Sequence, residues 1–107
     1  MDELKWDRQF ALEQAADDTE LLEELLEIFR QSYASDLEII QNGIHSEDSS
    51  LVRGAAHSIK GAAASLGIAG IKDIAQNIEI DARQGSLLIA KNQYEILVSM
   101  KEKLGYL

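Results

Sequence analysis

Apolar residues recur at every third or fourth position along most of this chain, and no proline interrupts the pattern. That spacing collects apolar side chains on one face of an α-helix, whereas a strand needs alternation with a period of two, which is absent. Proline is the residue that most strongly breaks a helix, so its absence leaves long helices undisturbed. The sequence therefore predicts an all-α fold.

Short connectors divide the pattern into five predicted helices. Gly67 suits the left-handed position that follows a helix, and Gly85 ends the next helix. Four longer helices joined by short loops predict an antiparallel four-helix bundle with a short extra N-terminal helix. The length of 107 residues predicts a single domain over residues 1–107. The predicted helical segments are residues 7–15, 16–46 with Asp17 or Asp18 as the N-cap, 49–66, 69–84 and 86–104.

Charge and composition limit the partners. The chain has a formal charge of −9, and residues 1–50 hold 14 acidic against 3 basic side chains, whereas residues 51–107 hold 5 acidic and 7 basic ones. Nucleic acid is not expected as a partner, because binding to phosphate backbones needs a basic face. The absence of cysteine excludes disulfides and thiolate metal sites.

No apolar run reaches the length of about 18 residues that a membrane-spanning helix needs. The N-terminus "MDELKWDRQF" is acidic and mixed, unlike a signal peptide. We therefore expect a cytoplasmic protein without a membrane-spanning segment.

The helix containing "AAHSIKGAAASLG" carries the residue that stands out. When residues are placed at steps of about 100° around the helix, His57 points about 160° away from the centre of the apolar face. The imidazole is therefore predicted to face outward, away from the bundle axis. The residues of the apolar face are Val52, Ala55, Ala56, Ile59, Ala62, Ala63 and Leu66.

Two glycines lie one turn on either side of His57. Gly54 and Gly61 share its face, and Ala64 extends the strip of small residues. A glycine inside a helix costs about 0.5–1 kcal/mol relative to alanine, and these two lie where the loss of a side chain opens the approach to the ring. Close packing of two helices at the glycines is the structural alternative.

Arg53 and Lys60 place positive charge one turn from His57 on the same face. A neutral, exposed imidazole with cations beside it suits a nucleophile that takes up a phosphoryl group, because the cations stabilise the transferring anion. The alternative is an ordinary surface histidine.

The stretch "HSIKGAAASLG", followed by "IKDIAQNIE", resembles the signature of histidine-containing phosphotransfer domains. That signature has Lys-Gly at the third and fourth positions after the histidine, a small residue at the seventh and Leu-Gly at the ninth and tenth. A following helix then ends in an acidic or amide residue. The matching residues are His57, Lys60, Gly61, Ala64, Leu66, Gly67 and Glu79.

The resemblance implies that His57 accepts a phosphoryl group from the aspartate of one receiver domain and passes it to another. It implies that Lys60 neutralises the phosphoryl oxygens and that Gly61 leaves room for the partner's active site. Gln76 or Glu79 on the next helix would orient the imidazole through a hydrogen bond. A glutamate at 79 in place of glutamine adds negative charge near a phosphate, which leaves its role open.

The resemblance also implies the partners, which are the receiver domains of response regulators and a hybrid sensor histidine kinase. No cofactor is expected in this chain, and Mg²⁺ would belong to the receiver. The chain has no G-x-x-x-x-G-K-[ST] segment, so we expect a monomeric phosphoryl carrier without its own ATP site, rather than an enzyme.

Two other functions stay open. A helical adaptor would bind receivers without phosphotransfer, and a small phosphatase would form a phosphohistidine but would need an acid near His57 and a substrate pocket. The Ala/Gly surface is expected to supply neither. The sequence also leaves open the cognate kinase, the direction of transfer and the output, and whether the chain is free-standing, as its initial Met favours, or the end of a hybrid kinase.

Three apolar residues flank the main stripe of the second helix. Leu21, Leu25 and Ile28 are predicted to pack under the segment with Trp6 and Phe10. The alternative is a partly exposed rim that helps to dock a partner.

Overall fold

The computed structural model describes residues 3–107, and the all-α prediction is confirmed. Every predicted helix is present, with ends that differ from the prediction by less than one turn. Apart from an isolated bridge between Trp6 and Ile68, the described residues form no strand. In chain order the helices are α1 (Arg8–Gln14), α2 (Thr19–His45), α3 (Ser49–Ser65), α4 (Ala69–Arg83) and α5 (Leu88–Leu104).

Aspartates start the first three helices. The carboxylates of Asp7, Asp18 and Asp48 accept hydrogen bonds from backbone N–H groups two or three residues later, at 2.9–3.3 Å. These bonds satisfy donors that have no partner inside the helix. The end of α3 is set by Gly67, whose φ of +71° is the left-handed conformation that the sequence predicts there.

The four long helices form a ring in which α3 contacts α2 and α4, and α5 contacts α4 and α2. The inward face of every helix is apolar, and Ile40, Val52, Ile71 and Ile78 are completely buried. The hydroxyl of Tyr33 in this core donates a 2.6 Å hydrogen bond to the Leu97 carbonyl, which joins α2 to α5. None of the helices in residues 3–107 is both long enough and apolar enough to cross a membrane.

Residues 3–7, which precede α1 and are called the N-terminal segment below, lie on the connector between α3 and α4. The indole Nε1 of Trp6 donates to the carbonyl of Leu66 at 3.0 Å, and the backbone N–H of Asp7 donates to the carbonyl of Gly67 at 2.9 Å. Trp6 and Asp7 therefore brace the corner at which the two helices meet.

The predicted packing of the three α2 residues under this segment is wrong for Ile28, which is 63% exposed. It is also wrong for Leu21, which is exposed, whereas Leu25 is partly buried against the core. Trp6 is held at the corner between α3 and α4 by its bond to Leu66, and α1 contacts α2 without covering Ile28.

Gly70 is the position where the N-terminal segment comes closest to α4. Its N–H donates to the carbonyl of Leu4 at 2.8 Å, and a Cβ built on it would overlap the carbonyl oxygen of Glu3. Only glycine admits this approach, because any side chain forces the segment away.

We predict that Gly70→Ala lowers the free energy of unfolding by about 1–3 kcal/mol, because the N-terminal segment must move to remove the overlap. Trp6 is the single tryptophan, so its fluorescence should change without denaturant while the helical circular dichroism is retained. Gly54→Ala is the control, because a Cβ there has no neighbour within 4 Å. Equal stability of the two variants would contradict the prediction.

Candidate functional site

His57 lies in the middle of α3 with its side chain 69% exposed. Its neighbours Ala56 and Ile59 are buried in the core. The ring therefore points to solvent from the side of α3 opposite the bundle interior, as the helical periodicity predicts.

The glycines on either side of the ring border open space. A Cβ on Gly54 or Gly61 would have no neighbouring atom within 4 Å, and Ala64, further along the same face, is exposed. The structure thus excludes close helix packing as the reason for these glycines. They leave a strip of α3 without bulky side chains next to His57.

Glu79 of α4 holds the imidazole. Its Oε2 lies 2.7 Å from Nδ1 of His57, and the carboxylate side chain is only 4% exposed. The hydrogen bond from Lys60 is the main reason that the pKa of Glu79 lies below its ordinary value; the His57 contact acts in the same direction, and burial opposes both.

The ionised carboxylate can only accept hydrogen bonds. Nδ1 of His57 therefore carries a proton and donates a hydrogen bond to Glu79, and in the neutral form of the ring the lone pair is on Nε2. The arrangement exposes a ring whose free nitrogen needs no base to become nucleophilic.

Two cations share the same carboxylate. The Nζ atom of Lys60 lies 2.7 Å from Oε1 of Glu79, and Nη2 of Arg83 lies 3.1 Å from Oε2. These contacts explain how a glutamate is tolerated at a position where a phosphate is expected to arrive nearby. Lys60, for which the resemblance implies a contact with phosphoryl oxygens, is bound to Glu79 in the unphosphorylated protein.

Sequence reasoning missed Arg83. Its signal was the spacing of four residues from Glu79 on α4, which places the two side chains on one helix face. The motif that carries the family resemblance ends at Glu79 and does not include position 83.

The remaining candidates lie at the edge of the site. Gln76 is exposed and makes no hydrogen bond with the imidazole, so Glu79 alone of the two candidates contacts the ring. Arg53 is exposed and forms no ion pair with any residue in the described part of the chain.

The acid next to His57 is Glu79 of α4, which lies against the ring, and the Ala/Gly surface of α3 supplies none. The lowered pKa of Glu79 keeps it ionised, so it does not act as a proton donor at neutral pH. Across residues 3–107, no group of three or more potential ligand side chains is placed to hold a metal ion.

A shallow apolar groove of about 340 Å³ lies between α2 and α3. Leu25, Ile28 and Phe29 line it from α2, and Ala62 and Ser65 line it from α3. The two α3 residues follow His57 by five and eight positions, or about 8–12 Å along the helix axis. The exposed imidazole and the groove are therefore close enough to lie under one protein partner.

Comparison with known proteins points to one family. The model of the Hpt domain family matches residues 24–105. Among solved structures, the chain is similar to histidine-containing phosphotransfer protein B (HptB) from Pseudomonas aeruginosa PAO1, with a TM-score of 0.85 and 20% identity over 94% of this chain and 87% of that one. No curated protein sequence matches at a significant level.

We predict that Glu79→Gln lowers the free energy of unfolding by about 1–2 kcal/mol near neutral pH, because charge-assisted hydrogen bonds are lost. Folding lowers the pKa of Glu79, so its contribution is complete above the pKa of the unfolded chain and disappears as the pH falls through the folded value. The difference between variant and wild type should therefore shrink in acid.

Urea unfolding at about pH 7 and about pH 3 measures this difference. Glu23→Gln is the control, because Glu23 is exposed and makes no ion pair in the described structure. If Glu79→Gln lowers the free energy of unfolding as much in acid as at neutral pH, the stabilising role of the ionised Glu79 carboxylate is refuted.

Proposed function

The chain belongs to the Hpt domain family, and from that membership we propose that it carries a phosphoryl group on His57 between receiver-domain aspartates in a multistep phosphorelay. One observation carries the proposal. The imidazole of His57 is exposed, with Nδ1 bonded to a carboxylate and the other nitrogen left free for attack.

The transfer needs no separate proton acceptor. The Nε2 lone pair of His57 attacks the phosphorus of a receiver aspartyl phosphate, and the electrons of the breaking O–P bond stay on the aspartate carboxylate. Nδ1 keeps its proton, so the phosphorylated ring becomes a cation that faces the Glu79 carboxylate. In the onward step a second aspartate attacks, and the electrons of the N–P bond return to the ring.

Positive charge next to the ring favours the incoming anion. The Lys60 ammonium has three donors, so it bonds to Glu79 and offers a further hydrogen to a phosphoryl oxygen. Arg53, one turn before His57 and exposed, supplies a second cation. Mg²⁺ belongs to the receiver, in keeping with a chain that acts as carrier rather than as kinase.

The receiver docks over the face of α3 that carries His57 and over the groove between α2 and α3. Ile28, exposed on the rim of this groove, provides apolar area that a partner can cover. Docking holds the two reacting residues in line, and such positioning supplies most of the rate in phosphoryl transfer.

A phosphorylated receiver should transfer an acid-labile label to the wild-type chain and none to His57→Gln. The variant should keep its helical circular dichroism and still bind the receiver, because the changed side chain is exposed. Equal labelling of both proteins would remove the proposal. Receiver binding without label on either protein would instead support an adaptor.

Gly61→Leu should slow phosphotransfer on the order of tenfold or more, because the new side chain obstructs the approach of the receiver to the ring. Stability should be equal or higher by up to about 1 kcal/mol, since leucine favours the helix and its Cβ enters open space. Gly61→Ala is the control, which should gain stability with a smaller loss of rate. Unchanged transfer in the leucine variant would contradict the role assigned to this glycine.

A further inference from the structure

Arg83 lies at the end of α4, four residues after Glu79, with its side chain 58% exposed. Its Nη2 donates to Oε2 of Glu79 at 3.1 Å. The same oxygen accepts the hydrogen bond from Nδ1 of His57 at 2.7 Å. Arg83 thus reaches the reactive imidazole through one shared oxygen atom.

The three contacts fix the orientation of the Glu79 carboxylate. Lys60 holds Oε1 at 2.7 Å, and Arg83 holds Oε2. The last torsion of a glutamate side chain is broad and only weakly restrained by itself. Without Arg83, Oε2 would be held by the imidazole alone, so the carboxylate could turn away at the cost of that single bond.

The charges around the ring also depend on Arg83. The charges of Lys60 and Glu79 cancel, and Arg83 leaves these three side chains with one net positive charge beside the ring. A phosphoryl group that arrives on Nε2 then meets a positive site, although an acid lies next to the ring. Arg83 therefore offsets the negative charge that Glu79 introduces.

We infer that Arg83 is a positioning residue for phosphotransfer that acts through Glu79, by fixing the carboxylate against Nδ1 and by balancing its charge. This inference rests on the proposed function of His57. The same role is not assigned to Arg53, because Arg53 makes no ion pair with Glu79 in the described structure.

A double-mutant cycle tests the coupling between the two residues. Arg83→Ala should slow uptake from a phosphorylated receiver roughly three- to tenfold in the wild-type background and less than about twofold in the Glu79→Gln background. Arg83→Lys should restore most of the rate, because a lysine four residues after Glu79 also reaches its carboxylate. Lys101→Ala, which removes an exposed cation on α5, is the control for net charge and should leave uptake unchanged.

Equal slowing by Arg83→Ala in both backgrounds would overturn the inference, because Arg83 would then act without Glu79. No slowing in either background would overturn it as well. Arg83→Lys distinguishes this role from a purely structural one. If only the packing of the arginine side chain mattered, the lysine would not restore the rate of uptake.

A measurement without a partner separates this inference from the proposed function. Nitrogen-15 NMR of the imidazole should show the proton mainly on Nδ1 of His57 in the wild type and in Arg83→Lys. In Arg83→Ala the tautomer with the proton on Nε2 should become measurable, and an unchanged tautomer ratio would count against the inference. Should the wild type take up no label, the carrier function fails, and this tautomer comparison alone decides the role of Arg83.

Discussion

The surface around His57 depends on the hydrogen bonds of one carboxylate, that of Glu79. This carboxylate is almost completely covered, yet it accepts hydrogen bonds from His57 and Lys60 on α3 and from Arg83 on its own helix. A buried charge is costly unless paired, so the cations that surround Glu79 are a requirement of the fold as well as of the site. The hydrogen bond between Glu79 and His57 also selects the imidazole tautomer. One carboxylate therefore affects both the stability of the bundle and the chemistry of the ring.

The two faces of α3 serve different purposes. Ala56 and Ile59 pack in the core and secure the helix, whereas Gly54 and Gly61 border open space next to His57. These glycines lower the stability of the helix by about 0.5–1 kcal/mol each. Packing of the apolar face in the core offsets that loss, and the imidazole on the opposite face stays exposed.

The corner between α3 and α4 sets which residues of the two helices meet. Gly67 turns the chain in a left-handed conformation, and Trp6 and Asp7 bond to the carbonyls of Leu66 and Gly67. A short, braced connector keeps α4 in one register along α3. Because of this register, Glu79 lies opposite His57 although 22 positions separate them in the sequence.

The sequence alone predicts the helices, the outward direction of His57 and the strip of small residues around it, because these follow from a period of 3.6 residues within one helix. It offered both Gln76 and Glu79 as partners of the ring, placed Ile28 under the N-terminal segment and gave no role to Arg83. These points follow from the packing of the helices, since contacts between helices depend on the register and rotation at which their core side chains meet. That packing is a property of the whole bundle, and no local stretch of the chain encodes it.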